Sequence, residues 1–180
     1  IRETRLLLNG GGGSSETSSY QYDHRGLQLS ATHDVGGLNL VNTTQYDAFG
    51  RAIAAVDANG HLQTAQYDRD GRQVLTIDPL NIRRSSSYDA FGRVLEQKDG
   101  LGNTTRFEYN DAARSVTVTT AEGIQTSTIH NAHGQVISLK DGKGNLTRFS
   151  YDKSGNLTST LDAAGNTVTA VFDSENRLID

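Results

Sequence analysis

Cysteine, methionine and tryptophan are absent from these 180 residues, and proline occurs once. Without cysteine there is no disulfide framework, no thiolate metal site and no thiol nucleophile. The absence of methionine removes even an initiator, so the chain is expected to be an excerpt of a longer one. Basic charge is scarce: Lys and Arg number 17 against 21 Asp and Glu, for a net charge of −4. That balance carries no basic footprint for nucleic acid. Long apolar runs are missing too. Leu6-Leu7-Leu8 is far too short to span a bilayer or to act as a signal peptide. Hydrophobic residues make up 34% of the chain, which is thin for a compact core.

Turn-forming residues are plentiful. The chain holds 19 glycines, and Thr, Ser, Asn and Asp occur throughout. Apolar residues recur between them, and no long block of one charge appears, so short strands joined by tight turns fit better than disorder. The arrangement is periodic. Tyr46-Asp47, Tyr67-Asp68 and Tyr88-Asp89 stand 21 residues apart, and further steps of 21 reach Tyr109-Asn110, His130-Asn131, Tyr151-Asp152 and Phe172-Asp173. The step from Tyr22-Asp23 to Tyr46-Asp47 is three positions longer than the others, which implies a three-residue insertion. A second series, Asp57, Asp78, Asp99, Thr120, Asp141 and Asp162, interleaves with the first. Glycine usually follows three residues later, as at Gly50, Gly71, Gly92 and Gly155, or at Gly60, Gly102 and Gly144.

Asp-x-x-Gly reads as a turn. The carboxylate accepts a backbone N–H two or three residues on, and glycine tolerates the positive φ that closes a type I turn with a bulge. Two turns per repeat leave strands of six or seven residues. Connections this short join only antiparallel neighbours. The expected fold class is therefore all-β: an antiparallel meander of tandem 21-residue β-hairpin repeats forming a curved sheet, with about a dozen strands over residues 51–180.

The turn geometry also predicts pairs that face each other or nearly so, since a bulge can shift them: Tyr46 with Arg51, Tyr67 with Arg72, Tyr88 with Arg93, Tyr109 with Arg114, and Phe172 with Arg177. In such a pair the guanidinium can lie on the ring. Alternation places Phe107 beside Tyr109 and Phe149 beside Tyr151 on one face. These residues recur in every repeat, as packing groups do and catalytic groups do not. They are assigned a structural role, with no catalytic, cofactor or metal residues. Residues 1–9 read as a strand, 10–19 as a Gly/Ser-rich loop or linker, and 20–180 as repeats that stop mid-repeat at Arg177-Leu178-Ile179-Asp180.

The pattern resembles the RHS/YD-repeat family. Its mark, Tyr-Asp-x-x-Gly-Arg, is intact at Tyr46-Asp47-Ala48-Phe49-Gly50-Arg51, Tyr67-Asp68-Arg69-Asp70-Gly71-Arg72 and Tyr88-Asp89-Ala90-Phe91-Gly92-Arg93. Degenerate copies follow at Tyr109, His130, Tyr151 and Phe172. The resemblance covers about residues 20–180. It implies bacterial polymorphic toxins, toxin-complex B and C components and related surface proteins, in which a long sheet spirals into a hollow shell around an unfolded toxin segment. On that resemblance the chain is a non-catalytic wall segment, secreted or on the bacterial cell surface. Its partners are then the rest of the shell, the enclosed toxin segment and secretion-machinery components.

Other chemistry fits the residues less well. Asp78-Pro79-Leu80-Asn81 differs from the family's Asp-Pro-x-Gly-Leu self-cleavage motif and reads as a turn. His130 and His133 lack a third metal ligand at useful spacing. Asp99–Asn103 and Asp141–Asn145 lack the carboxylate density of a calcium loop. Gly10-Gly11-Gly12-Gly13 has no Lys-Ser/Thr after it, so it is not a phosphate loop. No cofactor is expected. The competing reading is a carbohydrate-binding or adhesion module that stacks sugars on the regular tyrosine rows. Where the rings point separates the two.

Overall fold

The computed structural model describes residues 2–7, 14–35 and 37–180. The side chains of residues 1–16 fall outside that description. Among the described residues sixteen strands follow one another: β1 (Arg2–Leu7), β2 (Ser14–Tyr22), β3 (Gln28–His33), β4 (Leu40–Tyr46), β5 (Ala52–Val56), β6 (Leu62–Tyr67), β7 (Gln73–Ile77), β8 (Arg83–Tyr88), β9 (Val94–Lys98), β10 (Thr104–Asn110), β11 (Ser115–Thr119), β12 (Gln125–His130), β13 (Val136–Lys140), β14 (Leu146–Tyr151), β15 (Leu157–Leu161) and β16 (Thr167–Thr169). No helix occurs among the described residues. The twelve strands β5–β16 match the dozen read from the turn spacing.

The chain forms two compact units. One comprises residues 1–86 and 100–102, the other residues 87–99 and 103–180. In the first, β1 through β8 pair antiparallel, each with its neighbour in sequence. In the second, β9 through β16 do the same. The all-β antiparallel meander is thus the observed architecture.

The residues expected as linker are partly strand. Ser14–Ser19 belong to β2, which pairs with β1 on one side and β3 on the other. A Ser/Thr-rich stretch satisfies two backbone ladders without any apolar pattern, so composition alone misplaced it. The expected strand within residues 1–9 is present as β1. Gly10–Gly13 lie outside the described residues. The three extra residues are spread over β3, the turn after it and β4, each one residue longer than its counterpart in the β5–β6 repeat. In that turn Asp34 and Asn39 both take positive φ and the Asn39 N–H donates to Asp34 O at 3.1 Å.

Each sheet has two unlike faces because paired residues share a face. In the second unit one face carries Phe107 opposite Val118, and Tyr109 opposite Val116, which continues across Thr128 to Leu139. The other face carries Glu108, Thr117, Ser127 and Lys140 in one row. Arg106 there pairs in register with Glu96, and their side chains meet at 3.1 Å. Neither face is sealed. Among the described residues only Ala31 is a buried hydrophobic, at 5% exposure. The accessible surface is 12568 Å², against roughly 8500 Å² for a compact monomer of this mass. The sheets are single layers, and hydrogen-bonded ladders stand where a core would otherwise be.

Local packing fixes some glycines for a reason other than φ. A Cβ on Gly100 would overlap Ile82 Cγ2, and one on Gly142 would overlap Ile124 Cγ2. Each isoleucine follows the preceding turn on the same rim and fills the space over the next turn. Gly142→Ala should therefore lower stability by about 1–3 kcal/mol through overpacking. Ile124→Ala should cost little alone, since Ile124 is half exposed, and should recover most of that loss in the double variant. Urea midpoints of the four proteins test the coupling. Additive effects would mean that the isoleucine is not the obstacle.

Candidate functional site: the tyrosine–aspartate rim

Turns after the even-numbered strands form one rim of each unit, and these hold the repeated motif. The backbone closes as the sequence dictates. The Gly50 N–H donates to Asp47 O at 3.1 Å, and the Asp47 N–H donates to Arg51 O at 3.0 Å. Gly50, Gly71, Gly92 and Gly155 take φ of 83°, 84°, 82° and 91°. This left-handed conformation favours glycine. In the other turn series Asn81 substitutes with φ 62°, consistent with the tolerance of asparagine for that region.

The aspartate does more than the sequence suggested. Asp47 Oδ1 accepts from the N–H of Phe49 and of Arg51, both at 2.9 Å, so the second bond comes from four residues on rather than three. Its Oδ2 accepts from Arg51 Nε at 2.6 Å. Asp68 with Arg72 and Asp89 with Arg93 repeat this pairing at 2.6 and 2.7 Å. Asp152 replaces the guanidinium with Asn156 Nδ2 at 2.9 Å. The signal for this was present but unread: the fourth residue after the Asp is usually a side-chain donor, whether Arg, Asn, Gln or His.

The expected tyrosine–arginine pairs are one residue out. Tyr46 faces Ala52, Tyr67 faces Gln73, Tyr151 faces Leu157, and Phe172 bridges to Leu178. The cause is the bulge, which sets two residues against one and shifts the register beside each of these tyrosines. Tyr109 is different. Its turn begins at Asp111, the register is regular with Tyr109 opposite Val116, and Arg114 takes φ 49° in the place of the glycine.

Arg51 and Arg93 reach forward. The Arg51 guanidinium lies 4.8 Å from the ring centre of Tyr67, in the next repeat, and donates to Asp68 O at 3.1 Å. Arg93 lies 4.2 Å from the centre of the Tyr109 ring and bonds Asp111 Oδ1 at 2.6 Å. The carboxylates of Asp111 and Asp89 hold the Arg93 guanidinium well above its ordinary pKa. Tyrosines reach backward. Tyr67 donates its hydroxyl to Ala52 O at 3.0 Å, Tyr109 to Val94 O at 3.0 Å, Tyr151 to Val136 O at 2.8 Å and Tyr46 to Gln28 O at 3.0 Å. Each ring is half-buried, and so are Tyr88 and Phe172. The rim is thus a ladder of interlocked turns, in which a rung holds the one before and the one after.

Among the described residues no group of three metal-ligating side chains converges. His130 points its Nδ1 at Arg114 O, 3.3 Å away, in the position where the tyrosines bond a carbonyl. Asp78 accepts from the N–H groups of Leu80 and Ile82 at 3.0 Å each, so the Asp78-Pro79 segment is a capped turn.

Comparison with known proteins follows the same line. The model of the RHS Repeat family matches residues 88–125 and 130–167. No curated protein matches the chain. Among solved structures, the crystal structure of TcdB2-TccC3-TEV superposes with a TM-score of 0.52 at 16% identity, covering 99% of this chain. The Photorhabdus luminescens Tc holotoxin pore with a substituted TccC3 gives a TM-score of 0.47 at 15% identity, again over 99% of this chain. This chain spans only 12% and 13% of those two chains. At 16% identity the likeness to the first is one of fold. The family that Tyr-Asp-x-x-Gly-Arg resembles and the family whose model matches are the same: residues 88–125 and 130–167 carry RHS repeats.

Proposed function

We propose that the chain is a non-catalytic wall segment of an RHS-type secreted toxin or bacterial surface protein, part of a shell that encloses a toxin segment. The carrying observation is that ordered, fully laddered single-layer sheets bury almost nothing of their own. Such a wall gains stability from neighbouring repeats and offers a broad surface to something else. Tyr46, Asp47, Gly50, Arg51 and their counterparts through Phe172 act as the fasteners between rungs rather than as reacting groups. In this reading the array starts near Ser14, and its partners are the rest of the shell, the enclosed segment and the secretion machinery. The carbohydrate-binding alternative is less well supported, because the tyrosine hydroxyls are tied to backbone and guanidinium groups lie on two of the rings.

Limited proteolysis of the full-length protein tests this. A toxin segment should resist protease while the wall is intact. It should be cleaved once Tyr67→Ala and Tyr109→Ala together loosen the rim. Equal cleavage in both preparations would overturn enclosure. Retention of the intact protein on immobilised glycans, lost in the same variants, would favour the alternative.

A further inference from the structure

At Tyr151 the rim ladder lacks the guanidinium that stacks on Tyr67 and Tyr109. Between the turns at residues 131–134 and 152–155 lies an open groove of about 550 Å³, lined by His133, Gln135, Ile137, Phe149, Tyr151 and Lys153 among others. Intact rungs show what normally meets the tyrosine. At Tyr67 the ring carries the guanidinium of Arg51, which also bonds the carbonyl of the next turn's aspartate. At Tyr109 the ring carries Arg93. The residue in that place before Tyr151 is Gln135. Its amide donates instead to Gly155 O at 2.9 Å, and its Oε1 accepts from Asn131 Nδ2 at 2.8 Å. The carbonyl of Asp152, counterpart of the one Arg51 bonds, accepts the Gly155 N–H at 3.2 Å. One lone pair of that oxygen remains for a second donor.

We propose that this groove takes an arginine side chain presented by another polypeptide segment. The occupant is argued from charge and shape. The face of a tyrosine ring is electron-rich, and a planar cation stacks on it. Beside the ring, the Asp152 carbonyl accepts from a guanidinium edge. The same chain stacks a guanidinium on a rim tyrosine twice from within, at Tyr67 and Tyr109, and at Tyr67 that guanidinium also bonds the carbonyl of the next aspartate, so the geometry fits this backbone. A groove of this size also exceeds the volume of one side chain, leaving room for the extended backbone that carries it. Lys153 is the opposing feature. It is an exposed cation at the turn tip, and its repulsion of an incoming guanidinium is screened by solvent and salt.

The probe is N-acetyl-L-arginine amide, titrated into the ¹⁵N-labelled full chain. Saturable shifts are expected at the amides of residues 133–137 and 149–155. Gln135→Arg, which supplies the guanidinium from within, should weaken the response roughly tenfold or more by occupying the ring. Lys153→Glu should tighten it about 2–5-fold by replacing a like charge with an opposite one. The Lys153→Glu result stands on its own where Gln135→Arg fails to fold, since residue 153 is an exposed turn position. Four outcomes would overturn the proposal: no saturable shift in the parent chain, an equal response to N-acetyl-L-lysine amide, a stronger response to methyl glucoside, or a Gln135→Arg variant that binds unchanged.

Discussion

Acidification should unfold the repeats, with stability holding down to about pH 5 and falling steeply below about pH 4. Nine turn aspartates sit below their ordinary pKa: Asp23, Asp47, Asp57, Asp68, Asp89, Asp141, Asp152, Asp162 and Asp173. At Asp23, Asp47, Asp68 and Asp89 desolvation acts the other way and is outweighed by backbone N–H groups and a guanidinium together. At Asp57 and Asp173 the N–H four residues on is the leading cause, from His61 and Arg177. At Asp141, Asp152 and Asp162 the asparagine side chain four residues on leads. The sign follows directly. The unfolded chain takes up protons near the ordinary carboxylate value, the folded chain only at lower pH. The stabilisation is therefore complete above the unfolded value and is lost as pH falls through the lowered folded range. Urea midpoints followed by circular dichroism from pH 7 to 2 measure it. Replacing Asp141 and Asp162 by Asn should flatten the slope. A midpoint unchanged down to pH 2 would show that the turn carboxylates contribute nothing.

Removing a rim tyrosine should have the largest effect of any single side chain. Tyr109→Ala deletes a half-buried ring, its bond to Val94 O and the seat of the Arg93 guanidinium. The expected loss is roughly 2–4 kcal/mol, the lower part of the range for truncating an aromatic because the ring is not fully buried. Tyr109→Phe keeps the ring and loses only the hydroxyl bond, for about 1 kcal/mol. Hydrogen exchange should localise the damage, with β9, β10 and β11 losing protection before β14 and β15. Equal urea midpoints for the alanine variant and the parent would mean that the ring fastens nothing.

Much of this was legible in the sequence because the information is periodic. Asp-x-x-Gly, recurring twice per repeat, gave the turns, and the short interval between turns gave the antiparallel sense; the strands between them run mostly to five or six residues rather than six or seven. The tyrosine and the residue two before it gave one face. The sequence allowed a bulge to shift the tyrosine–arginine pairs, but what escaped was where the shifted arginine goes. The bulge beside Tyr46 and Tyr67 is implied by a glycine at positive φ, yet its effect is that Arg51 leaves its own tyrosine and stacks on the next. Gly100 and Gly142 look like turn glycines, whereas what demands them is an isoleucine, Ile82 or Ile124, at the preceding turn of the same rim. β2 escaped for the opposite reason. Its strand is made by backbone pairing, and Ser14–Ser19 carry no side-chain signature of it.

The ladder has a direction, and that bears on how the chain is made. Tyr67 finds its carbonyl on Ala52 and its stacking partner in Arg51, both already synthesised when Tyr67 appears. Even the reach from Arg25 to Ala48 joins positions only 23 apart. All-β proteins usually fold slowly because their partners lie far apart in sequence, and loop closure must precede any reward. Here each new hairpin needs only the one just finished. A nascent chain emerging at about 5–20 residues per second would add one rung every few seconds at the slowest, each docking on a template that is already formed.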